Sequence, residues 1–84
     1  MAAQDLEIAG LVESIVIPLV DHEEDVRIVS HEEDDGTVLV EISVHEEDAG
    51  KVIGRQGRVI KSIRTLARAA ASRMDMHVEV EILD

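Results

Sequence analysis

The chain has 84 residues, 45% of them hydrophobic, no Phe, Trp, Tyr or Cys, and a formal net charge of −11. That length fits one small core of modest stability alone, for which self-association or a partner is expected. The missing cysteine excludes disulfides, iron–sulfur clusters and a thiol nucleophile, and the missing aromatics exclude base stacking of the RRM, OB-fold or cold-shock kind.

Residues 5–19 carry a helical stripe of Ile8, Leu11, Val12, Ile15, Val16 and Leu19, with Asp5 as the expected cap and Pro18 expected to end or kink the last turn. A polar connector, residues 21–25, precedes a short strand over residues 26–31. Asp35-Gly36 signals a hairpin into a second strand, residues 37–44, where Val38, Val40, Ile42 and Val44 alternate with Leu39, Glu41 and Ser43. The alternation predicts a half-buried antiparallel strand. Residues 46–53 read as a short helix. Residues 58–74 read as a longer one, burying Val59, Ile63, Leu66, Ala67, Ala70 and Met74 and exposing Lys61, Arg64 and Arg68. Val78, Val80 and Ile82 mark a last strand, with His77 as an exposed residue at its start. The order α-β-β-α-α-β predicts an α+β fold, a three-stranded sheet with helices on one face.

Charge is distributed unevenly along these elements. Residues 1–50 hold fifteen acids and one Arg (−14), residues 51–74 seven bases and no acid (+7), and residues 75–84 four acids (−4), which together give −11. The basic block opens Lys51-Val52-Ile53-Gly54-Arg55-Gln56-Gly57-Arg58, so a phosphate-bearing ligand is expected there despite the acidic total. Gly54 and Gly57 permit positive φ and let a sugar-phosphate backbone approach main-chain amides at the start of the following helix. Arg55, Arg58, Lys51 and Lys61 would supply charge around that spot. The alternative, an ordinary interhelical turn, needs one positive-φ residue and no cationic surround.

This signature resembles the V-I-G-x-x-G motif of KH domains, and the element order resembles their type II arrangement. Ile17-Pro18-Leu19-Val20-Asp21-His22, Glu47-Asp48-Ala49-Gly50-Lys51 and Arg64-Thr65-Leu66-Ala67-Arg68-Ala69-Ala70-Ala71 extend the resemblance over nearly the whole chain. They are similar to the small stand-alone bacterial KH proteins of the KhpA (YlqC) type. Glu23 and Glu46 depart from the pattern, standing where such members often carry Pro.

The resemblance implies a single KH domain over residues 1–84, with an RNA-binding core at residues 26–84. It implies single-stranded RNA binding with little sequence preference, through Lys51, Val52, Ile53, Gly54, Arg55, Gln56, Gly57, Arg58, Ile60 and Lys61. Bases would turn over an aliphatic groove of Val52, Ile53, Ile60 and Val44 between helices and strand edge. It also implies a homodimer, or a heterodimer with a larger multidomain KH protein of the KhpB or Jag type, and a role as RNA chaperone or post-transcriptional regulator linked to cell elongation and division. The alternative is a KH-fold interaction module whose RNA binding is secondary. Replacing both Gly54 and Gly57 by Asp is expected to abolish RNA retention with the fold near intact.

Three H-E-E-D copies, at residues 22–25, 31–34 and 45–48, read as solvated connectors, because none has the second His of a helical metal site. Neither a metal nor a cofactor is expected. The serines lack a nucleophile's context and the acids crowd connectors, so no catalytic residue is assigned. The first residues lack the basic start of a signal peptide, and the longest apolar run, residues 15–20, is far short of the roughly 20 residues of a membrane span. A cytoplasmic protein without membrane contact is expected.

Overall fold

A computed structural model of the protein describes residues 3–83, and side chains from residue 7 onward. Helix α1 (Ala3–Val16) leads through a 3-10 turn (Ile17–Leu19) to strand β1 (Arg27–Glu32). A hairpin connects β1 to β2 (Val38–Ser43). Helix α2 (Ala49–Ile53), a tight turn and helix α3 (Arg58–Arg73) then carry the chain to β3 (Val78–Leu83). The result is the α+β, α-β-β-α-α-β fold expected from the sequence.

Pro18 sits in the first turn of the 3-10 segment that replaces the last turn expected of α1, because proline cannot donate to the preceding helical carbonyls. Ile8, Val12 and Val16, four residues apart, form the fully buried stripe of α1. The Asp5 cap lies outside the described side chains. Glu23 and Glu46 each open a further 3-10 turn, Glu23–Asp25 and Glu46–Asp48. That is where proline suits a helical start.

The hairpin forms at Asp35-Gly36 as expected. Gly36 has φ +86°, its amide donates to the Glu33 carbonyl at 2.9 Å, and the Thr37 amide donates to the Asp35 carboxylate at 2.9 Å. Strand β2 is the central one: it runs antiparallel to β1, pairing Ser30 with Val40, and parallel to β3, pairing Val40 with Val80. The alternation predicts an antiparallel strand and is silent on the parallel neighbour, which exists because the α2–α3 crossover returns the chain to the same end of the sheet.

Val38, Val40 and Ile42 are fully buried beneath the helices. Burying each such side chain stabilises by roughly 1.5–3 kcal/mol. Val44 falls just beyond β2 and is half-buried.

Helix α3 is turned relative to the expected face. Ile60, Ile63, Ala67 and Ala71 are buried, whereas Leu66 is 50% exposed. Alanines on the inner face let α3 approach both β3 and α1, a contact that Leu66 would hold apart. The helix ends with Asp75 at φ +55° while the Met76 amide donates back to the Ala71 carbonyl at 2.9 Å, a left-handed helix stop. Among the described residues no helix is long and apolar enough to cross a membrane.

Candidate nucleic-acid interface

The turn between α2 and α3 holds three positive φ values in four residues: Gly54 at +77°, Gln56 at +57° and Gly57 at +74°. The two glycines differ in what requires them. A Cβ on Gly54 would collide with Val59, meeting its Cβ and amide nitrogen at 2.8 Å, whereas a Cβ on Gly57 would meet nothing nearer than Ile60 Cγ2 at 3.9 Å. Gly54 is therefore needed for packing, and Gly57 for its left-handed backbone and open outer face. The expectation that both Asp replacements spare the fold is corrected at Gly54.

Part of the amide set is already engaged. The Gly54 amide donates to the Gly50 carbonyl at 2.8 Å and the Gly57 amide to the Gly54 carbonyl at 3.1 Å, while the Arg58 amide reaches the Arg55 carbonyl. The Gln56 side-chain oxygen accepts from Arg58 Nη2 at 3.3 Å. A non-glycine residue in the left-handed region costs about 1–2 kcal/mol, so the local geometry is held by its surroundings.

The cations separate into two groups. Arg55, Arg58 and Lys61 are exposed, with no acid paired to them among the described residues. Lys51 is different: its ammonium lies between Asp21 and Asp48, at 3.1 Å from Asp48 Oδ1. Its expected place among the free charges is corrected to a structural tie.

Asp48 is the centre of that tie, a fully buried carboxylate that also accepts from the amides of His22 at 2.9 Å and Asp21 at 3.2 Å. Burial pushes its pKa up, but the two amides and the Lys51 ammonium outweigh it and hold the carboxyl at about 2, below the usual 3.8. The same contacts, Asp21 first and then Asp48, raise Lys51. The α1–β1 connector is thus bonded to the segment that feeds the glycine turn. The sequence shows Asp48 only as the last of three acids, and its role depends on partners 26 and 27 positions away.

Val52 and Ile60 are core residues, 0% and 5% exposed. They brace the turn from beneath and offer no open surface, which corrects their expected place in the groove lining. Ile53 and Val59 are half-buried beside the turn. The groove between α3 and the free edge of β3 has charged walls rather than the aliphatic ones expected. Lys61, Arg64 and Arg68 line one side, Glu79 and Glu81 the other. Arg64 Nε donates to the Val80 carbonyl at 3.0 Å, and Arg68 Nη2 lies 3.3 Å from Glu79 Oε2.

The first and third H-E-E-D copies, read as separate connectors, meet in space. Ligand atoms of His22, His45 and Glu47 lie within 4.8 Å of one another. The two imidazoles stack at 3.9 Å with planes 18° apart, so their in-plane lone pairs do not converge on one point. His45 Nδ1 also accepts the Glu47 amide at 3.0 Å, capping the turn before α2. Metal binding would require at least one ring to turn and that cap to open.

Residues 9–82 match the family described as KhpA/KhpB, KH domain. The chain is 49% identical over 75 residues to the RNA-binding protein KhpA of Halalkalibacterium halodurans, an alignment covering 88% of this chain and 96% of that protein. It is 45% identical over 80 residues to the protein of the same name from Bacillus subtilis, covering 95% and 98%. Among solved structures, Era of Aquifex aeolicus bound to GDP and AlF4− superposes with a TM-score of 0.67 at 19% identity. That likeness of fold spans 99% of this chain and 33% of Era.

Proposed function

The chain belongs to the KhpA/KhpB KH-domain family, and on that premise we propose that it binds single-stranded RNA at the Gly54–Gly57 turn. The family is one of RNA-binding domains rather than enzymes, in keeping with the absence of any catalytic assignment. One observation carries the reading. An acidic chain gathers three exposed cations with no acid paired to them among the described residues, Arg55, Arg58 and Lys61, around a turn that holds three positive φ values.

Phosphates bridge the guanidinium groups around the turn, while Gly57, lacking a side chain, lets the strand lie close to the main chain. Lys51, Val52, Ile53, Gly54 and Ile60 support this surface, and Arg55, Gln56, Gly57, Arg58 and Lys61 make it. Backbone contacts carry little sequence information, so binding tolerates many sequences. The finer roles, an RNA chaperone or post-transcriptional regulator of cell elongation acting as a homodimer or with a larger KhpB-type partner, rest on the resemblance of the motif-bearing segments.

Gly57→Asp is the test, because the site is sterically open and the added charge faces the phosphates. Far-UV CD should show the variant folded, though strained by about 1 kcal/mol at the positive φ, and filter binding should show RNA retention lost. Retention by a folded Gly57→Asp protein would refute the clamp. A second reading, subunit pairing as the main task, draws on Leu66 and Leu83, 50% and 42% exposed. Light scattering that finds a dimer indifferent to RNA at low salt favours it.

A further inference from the structure

The groove beside the turn has walls of opposite sign, and a strand lying in it would be oriented by them. On the α3 wall stand Lys61 and Arg64; on the β3 wall stand Glu79 and Glu81. Arg68 reaches across to Glu79 at 3.3 Å, so a guanidinium donor and a carboxylate acceptor sit side by side at the groove edge. Arg64 is held over the floor by the Val80 carbonyl, an uncharged partner that leaves its positive charge uncompensated.

A phosphodiester is repelled by two carboxylates, so a chain whose phosphates rest on Arg55, Arg58 and Lys61 turns its bases toward β3. Ionised carboxylates only accept hydrogen bonds. The four bases differ in what they can donate. Guanine presents N1–H and N2–H2 side by side, matching the two oxygens of one carboxylate, with O6 adjacent to accept from an arginine. Cytosine and adenine each present one amino group. Uracil presents a single N3–H flanked by two carbonyl oxygens that a carboxylate repels.

We infer that this groove prefers guanine over uracil, with Glu79 and Glu81 as the residues that set the preference and Arg68 positioning Glu79. The inference rests on the proposed RNA-binding reading and adds a base preference to it: phosphate contacts at the turn supply most of the affinity, and the acid wall supplies a bias.

Fluorescence anisotropy with end-labelled hexanucleotides at low salt tests it, comparing hexauridine with the same strand carrying one central guanosine, inosine, adenosine or cytidine. A matched bidentate contact is worth about 1–3 kcal/mol of discrimination. In a solvent-exposed groove the low end applies, so guanosine should bind about fivefold tighter than hexauridine. Inosine, which lacks only the N2 amino group, should lose most of that gain. In a Glu79→Gln, Glu81→Gln protein the guanosine advantage should vanish, while hexauridine binds more tightly for the loss of two negative charges. Equal affinities for guanosine and uridine strands in the unaltered protein overturn the base preference and leave the RNA-binding reading standing. A guanosine advantage that survives in the double Gln protein removes Glu79 and Glu81 from the role. Failure of every strand to bind overturns both readings together.

Discussion

Asp48 shows how one side chain can govern a site it does not touch. Its carboxylate draws two amides of the α1–β1 connector and the Lys51 ammonium onto one buried point. Asn at this position keeps the size but loses the charge and turns an amino group toward a donor. Asp48→Asn should therefore melt at a lower temperature than the native protein at pH 7. The sign of the pH dependence follows from the depressed pKa. The Asp48 contribution is complete above about pH 4, where an unfolded Asp is ionised, and is lost as pH falls through about 2. Thermal melts followed by CD should show the gap between the two proteins closing over that interval. A gap that stays constant from pH 5 to pH 2 would show that ionisation of Asp48 plays no part. At the glycine turn a similar contrast holds: Gly54→Ala pushes against Val59 and costs fold stability, whereas Gly57 faces open space. RNA-binding variants there are informative only at the second position.

Among the elements, α3 carries the clearest conflict between pattern and packing. A stripe through Leu66 and a stripe through Ile60 and Ala71 both satisfy a helical period, and the sheet accepts the second because alanine permits closer approach. Ala67 is fully buried on the inner face of α3. Ala67→Leu should destabilise by about 1–3 kcal/mol through overpacking, while Leu66→Ala should shift stability by no more than about 0.5 kcal/mol, as an exposed position does. Urea unfolding followed by far-UV CD compares the two; a larger loss at Leu66 would place that side chain in a subunit contact. The β2–β3 pairing is likewise invisible in either strand alone. Both alternate correctly, yet direction is decided by the helical crossover between them.

Over the whole molecule, the net charge of −11 opposes RNA while a single face favours it. The three acid-free exposed cations of that face set the expected salt response. Three phosphates at about −0.7 each give a slope near −2 for the logarithm of the binding constant against that of salt concentration. A slope near zero would mean that phosphates are not what the face holds. Affinity from one copy should be weak, and two copies in a dimer would raise it by holding neighbouring stretches of one strand.

The sequence alone carried the element order, the hairpin at Asp35-Gly36 and the alternation of β2. It also carried the concentration of basic residues around Gly54–Gly57, because each of these is a local property of period, turn chemistry or charge. Tertiary structure decided which of those basic residues are available. Lys51 looks like Lys61 in a list of charges, but folding brings Asp21 beside Lys51 and leaves Lys61 exposed. It also brought His22 to His45 and Glu79 to Arg68, and put Val52 and Ile60 inside. The reason is range: hydrogen bonds and ion pairs act over a few ångströms, and only the packed chain determines which distant residues come that close.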